Sequence, residues 1–173
     1  RLGAIIEWPS FHADLTARQN LRIFSDGHGK EYEAKMLEMT RLVEMDRQLD
    51  RKVGTFSTGM KQRLGIALAM LPDSEVVILD EPTNGLDPGG IVEIRQIIRE
   101  FNRRFGITVL VSSHLLGEIE QICDKVALIA NGRLIAAGTL TGLLTERPKL
   151  KLKVDRAPQA AEALMYAFRH GEL

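Results

Sequence analysis

Apolar residues in this chain fall into short unbroken runs separated by longer stretches with helical spacing. The runs at Leu2–Ile6, Val76–Leu79 and Ile107–Val111 carry little polar alternation, which predicts strands covered on both faces, as in a parallel sheet. Between the first two runs the pattern is helical, from about Thr16 to Phe24 and from about Lys30 to Met45. Tyr32, Met36, Leu37, Leu42, Val43 and Met45 supply an apolar face to the second of these, and Gly27-His28-Gly29 divides the two. Ser57 precedes a third predicted helix, from about Thr58 to Leu71, stopped by Pro72. A fourth runs from Pro88 to Phe105, with Ile91, Ile94, Ile98, Phe101 and Phe105 on one side and proline in its first turn. A fifth covers about Leu115 to Ile122.

Strands alternating with helices imply an α/β domain with a mostly parallel sheet. The helices of residues 13–72 all precede the second strand, so they read as an inserted helical subdomain. Lys125–Ala130 and Arg133–Ala136, joined by Asn131-Gly132, predict a hairpin. Beyond a main domain spanning residues 1–145, residues 146–173 predict a small β-α appendage, with a strand at Leu150–Val154 and a helix at Pro158–His170. Because a strand pattern follows directly on Arg1, the start reads as a cut through the interior of a domain, leaving the sheet incomplete at its N-terminal side.

Composition narrows the function classes. Twenty-three basic residues balance twenty-three acidic ones, which argues against a dominant nucleic-acid footprint. The single cysteine, Cys123, suits a reducing compartment and reads as a small buried residue. No apolar run approaches the roughly 20 residues needed to cross a bilayer, so a membrane role would come through a partner chain.

Three features carry chemistry. The run Val76–Leu79 ends in two adjacent carboxylates, Asp80 and Glu81, and ligands of open α/β sheets bind at the carboxyl ends of strands. Asp80 can hold Mg²⁺ through its water shell, and Glu81 can orient or polarise an attacking water. Taken in isolation such a pair reads as acids capping the following turn; the apolar strand before it favours the site. Ser57-Thr58-Gly59-Met60 places a hydroxyl and a glycine where a helix begins, a ready anion site or a plain N-cap. His114 closes the next strand. Parallel strands end on one side, so His114 and Glu81 are expected to face one crevice, with the histidine able to donate to a phosphate.

In this order and spacing the three features resemble the ATP-binding cassette family, over residues 1 to about 140. Ser57–Arg63 is similar to the family signature, Asp80-Glu81 to the end of its Walker B strand, and Asn84–Pro88 to its D-loop. His114 is similar to the switch histidine, and Glu7 stands at the Q-loop position. The resemblance implies a P-loop NTPase-like fold that binds ATP and Mg²⁺ and works as a head-to-tail dimer. Ser57, Thr58, Gly59 and Met60 would then meet the nucleotide of a second cassette subunit, and Asp87 would bridge the two sites. Asp80, with Glu7, would serve the metal; Glu81 and His114 would serve hydrolysis. The resemblance also implies a permease partner and a place on the cytoplasmic, inner face of the cell membrane, without a nucleic-acid partner.

This sequence departs from the family pattern at two points. Met60 replaces the polar end of the signature, and Glu7 replaces the usual glutamine. A carboxylate at residue 7, with Gly3–Glu7 and Ser57–Met60, resembles the branch of bacitracin-resistance and lantibiotic-immunity exporters. In such a protein Trp8, Phe11 and His12 would lie near the permease groove, or Trp8 and Phe11 fill the subdomain core. The string Gly-x-x-x-x-Gly-Lys-Ser/Thr that cradles phosphates is not in this sequence. Gly54–Gly59 has the glycine spacing, but Met60 follows in place of lysine. This chain alone is therefore expected to be inactive. A cassette ATPase that works without a permease, or a non-catalytic interaction module, are the alternatives.

Overall fold

The computed structural model describes residues 1–25 and 29–145. The expected tail strand and helix, and the Gly27-His28 part of the helix break, lie outside them.

Strands β1 (Leu2–Ile5), β2 (Val76–Asp80) and β3 (Thr108–Ser112) form a parallel sheet in the order β1-β2-β3. Their register sets Gly3 beside Val77 and Val77 beside Val109, with Ile5, Leu79 and Val111 forming the next row on the same face. Three helices precede β2: α1 (Ala17–Ser25), α2 (Gly29–Leu42) and α3 (Thr58–Met70). Ala17 and Leu21, one turn apart, are fully buried and turn α1 inward. In α2 Met36 and Met39 are buried, and the Thr40 hydroxyl donates to Met36 O at 2.7 Å.

Helix α3 is buried on almost every side from Leu64 to Met70, because it is wedged between α1 and α2 and the sheet. Contact with β1 is so close that a Cβ on Gly3 would stand 1.9 Å from Ala69 O. Only glycine fits there.

Helix α4 (Pro88–Phe105) has the bounds predicted from sequence. Asp87 supplies the extended N-cap and Pro88 the first turn, while Gly106 ends it at φ 65° with its N–H on Asn102 O at 2.9 Å. Its buried stripe is Ile94, Ile97, Ile98 and Phe101. The expected stripe included Ile91 and Phe105, but Phe105 at the helix end is 36% exposed and Ile97 takes the inner place. Helix α5 (Leu116–Ile122) follows β3. Then β4 (Lys125–Ala130) and β5 (Arg133–Thr139) form the expected antiparallel hairpin, followed by α6 (Leu140–Thr145). Asn131 (φ 50°) and Gly132 (φ 70°) make the turn, with both central residues left-handed as a type I′ turn requires.

One expectation fails. The strands are not covered on both faces: β1 and β2 are buried on one face only, and β3 is at most half-buried on that face. Gly3, Ile5, Val77 and Leu79 point into the core under α3 and α4, while Leu2 (60% exposed) and Leu110 (59%) stand on the opposite face. Among the described residues no helix covers that second face. The apolar runs report the composition of a two-sided strand, and the second layer is not among these elements.

Candidate functional site

The carboxyl ends of β1, β2 and β3 lie side by side, and each passes into a loop that carries a candidate residue. Glu81 takes a positive φ of 47°, a conformation most residues avoid, as β2 turns into its loop. Its N–H donates to both the carbonyl (3.2 Å) and the hydroxyl (3.0 Å) of Ser112 at the end of β3. The Ser112 hydroxyl in turn donates to Asp80 Oδ1. One serine thus ties both carboxylate residues to the neighbouring strand. It was not singled out from sequence, although the register places it opposite Asp80.

His114 and Glu81 meet, as the common-crevice argument expects. His114 Nδ1 lies 3.1 Å from Glu81 Oε1 and 3.0 Å from Oε2. The side chain of the histidine is 66% exposed and that of Glu81 28%, so the pair sits at a mouth open to solvent. With Nδ1–H on the carboxylate, Nε2 is the remaining ring nitrogen and makes no hydrogen bond to Glu81. Asp80 is half-buried, and Oδ2 makes no hydrogen bond among the described residues.

The other candidates lie apart from this pair. The Ser57 hydroxyl accepts the Met60 N–H at 3.2 Å and so caps α3. Gly59 faces Leu86, whose Cδ2 would stand 3.8 Å from an added Cβ. Thr58 is exposed, and Met60 packs its thioether on the edge of the core. Asp87 is the N-cap of α4, yet its side chain makes no cap hydrogen bond, and the carboxylate leans over Gly89 and Gly90. Glu7 is exposed at φ 56° and makes no hydrogen bond to Asp80 or Glu81. The structure does not join Glu7 to Asp80.

Five further residues surround the site. Asn20 is fully buried: it accepts the His12 N–H at 2.7 Å and donates to the carbonyls of His12, Leu15 and Thr16 at 3.0–3.4 Å. It fixes the loop after β1 to the helices. Phe11 packs on the core and meets the Phe24 ring edge-on at 6.1 Å, while His12 stacks on the same ring at 5.6 Å. Thr83 and Glu118, both buried, are hydrogen-bonded to each other.

Adjacent carboxylates at one strand end, a histidine at the next and a capped helix start on an inserted helical unit are the arrangement of an α/β nucleotide-binding domain. Comparison with known proteins sharpens that class. The family model described as ABC transporter matches residues 1–84. The bacitracin transport ATP-binding protein BcrA of Bacillus licheniformis is 47% identical over 135 residues, 78% of this chain and 44% of the relative. The lantibiotic transport ATP-binding protein SrtF of Streptococcus pyogenes is 41% identical over 135 residues, 78% of this chain and 58% of the relative. Among solved structures, cbiO1 from Clostridium perfringens, part of the ABC transporter complex cbiONQ, superposes with a TM-score of 0.76 at 25% identity, over 84% of this chain and 60% of that one. The chain belongs to the ATP-binding cassette family and spans about half the length of the curated relatives it matches.

Proposed function

We propose that this chain is the hydrolytic part of an ATP-binding subunit that drives export of a peptide antibiotic or similar substrate through a partner permease. The His114–Glu81 contact at adjoining parallel strand ends is the observation that carries this reading. Identity to BcrA and SrtF supports the export branch. No helix among the described residues is long and apolar enough to cross a membrane, so a permease would be a separate chain or segment and the ATPase would sit against its inner face.

In this reading Glu81 orients the attacking water and accepts its proton, and Ser112 holds the carboxylate's backbone in the strained conformation that aims it. Asp80 would be the residue that holds a Mg²⁺ ion here. One of its oxygens is committed to Ser112 and the other is open, and no cluster of three or more ligating side chains competes for the metal among the described residues. Mg²⁺, when bound, would neutralise phosphate charge. His114 holds Glu81 through Nδ1, so donation to a γ-phosphate from Nε2 needs either the imidazolium or release of Glu81. Ser57 and Gly59 present the start of α3 to a second subunit's nucleotide, with Asp87 free to bridge. Glu7 adds a negative charge near the phosphates and raises the dependence on Mg²⁺.

Lacking the lysine-bearing phosphate loop, this chain by itself turns ATP over negligibly. In the full-length protein carrying this sequence, Glu81→Gln should lower ATPase turnover by about 100-fold or more, the scale of a lost general base. Turnover equal to the unsubstituted protein would overturn the reading, as would brisk hydrolysis by the purified chain alone. Glu7→Gln should shift the Mg²⁺ titration of the same activity; an unchanged titration removes the role given to Glu7.

A further inference from the structure

Two polar side chains unused by the catalytic reading are buried against each other. Thr83 is 5% exposed and Glu118 is 7% exposed, and the Thr83 hydroxyl donates to Glu118 Oε2. Thr83 lies two residues past Glu81, in a turn closed by the Asn84 N–H on Glu81 O (3.0 Å) and the Leu86 N–H on Thr83 O (3.3 Å). Glu118 lies four residues past His114, in the first turn of α5. The bond therefore links the segment that carries Glu81 to the segment that carries His114.

Helix α5 has seven residues, too few to hold a position through its own hydrogen bonds. Its place depends on tethers. At its far end the side chains of Arg95 and Arg99 on α4 donate to the exposed Gln121. Ile119 and Ile122 pack toward the core at mid-helix and beyond. Toward His114, Leu115, Leu116 and Gly117 are all exposed, and the Leu115 N–H turns back locally onto Ser113 Oγ at 3.1 Å. Of the polar links from this end of α5 to another segment, Thr83–Glu118 is the buried one. A carboxylate kept from water needs a donor, so the bond has direction and cannot slide as an exposed pair can.

We propose that Thr83 and Glu118 form a positioning pair that sets His114 against Glu81 for ATP hydrolysis. The proposal rests on the catalytic reading above. Neither residue touches substrate in it; both act through the histidine. Without the bond, α5 and the turn before it drift. A displacement on the order of 1 Å between catalytic groups can cost about 100-fold in rate.

The test measures kcat and KM for ATP, nucleotide-binding stoichiometry and Tm in the full-length protein. Thr83→Val and Glu118→Leu each remove the bond; Thr83→Ser and Glu118→Gln each keep it, since a glutamine oxygen accepts from the same hydroxyl. Expected is a kcat loss of about 10- to 100-fold in the first two, with KM and stoichiometry unchanged. The conservative pair should stay close to the parent rate, and Thr83→Val/Glu118→Leu should fall no further than the worse single change. Should Thr83→Val not fold, Thr83→Cys, near in shape but with a poor S–H donor, should lose rate in the same direction. An unchanged kcat in the bond-breaking variants, or an equal loss in Thr83→Ser, overturns the positioning pair while leaving the catalytic reading intact. A full-length protein without any ATPase turnover overturns that reading, and the pair falls with it.

Discussion

The indole of Trp8 lies across the backbone of Gly85, so that a Cβ on Gly85 would stand 3.0 Å from Trp8 Cη2. The loop after β1 is thereby seated on the loop after Glu81. Gly85 also holds φ at +70°, where a side chain is strained. Gly85→Ala should therefore destabilise the fold by about 1–3 kcal/mol, read as a lower denaturation midpoint. Adding Trp8→Ala should recover the part due to the clash and leave the part due to backbone strain. A neutral Gly85→Ala would show that the two loops are not seated this way.

Asn20 should be among the least replaceable polar residues. Three carbonyls and one N–H converge on its amide, and only an amide offers both donors and an acceptor there. Asn20→Asp sets a carboxylate against those carbonyls and should cost at least about 3 kcal/mol. Amide hydrogen exchange should show residues 12–16 opening first. Protection there equal to that of the parent chain would contradict the assignment.

Gln62 presents the reverse case. It is 2% exposed, and neither its Nε2 nor its Oε1 has a hydrogen-bond partner. Gln62→Met keeps much of the volume and removes the unpaired amide, so it should raise stability by about 1–3 kcal/mol. It lies one turn from Gly65, where the Pro9 ring packs, so the loop after β1 should remain in place. A fall in Tm would mean that the amide is paired after all.

Cys123 should react slowly. Burial, and then the neighbouring charge of Asp124, push its thiol above the ordinary value of 9.0. Alkylation of the native chain at pH 8.5 should lag behind that of the denatured chain. The folded state disfavours the thiolate, so this cysteine contributes no pH dependence well below pH 9 and lowers stability once the pH rises past the unfolded value of 9.0. Equal alkylation rates in the two states would contradict this.

How far the sequence could be read depended on where the governing contact lay. Helix α4 was legible to the residue because Asp87, Pro88 and Gly106 act locally. The meeting of Glu81 with His114 was legible because parallel strands end on one side. Glu118 was not: Glu118 and Glu120 look alike in a short helix, and only the position of Thr83 decides which one turns inward. Asn20 was hidden for a similar reason, since its partners are backbone groups that leave no mark on composition. The one-sided sheet was misread because an apolar run records what a strand can bury, not what lies over it in a given set of elements.

The register between β1 and β2 also has a consequence in time. Leu2 pairs with Val76 and Ile5 with Leu79, partners about 74 residues apart along the chain. At about 5–20 residues per second of synthesis, β1 waits roughly 4 to 15 s for its neighbour to be made, and His114 follows later still. During that interval the partner that β1 pairs with through Leu2 and Ile5 is not yet made, and the loop bearing Glu7 lacks that neighbour. The helices α1 to α3 emerge first, and with Gly3 designed to lie against Ala69, α3 is the surface on which the young strand can rest.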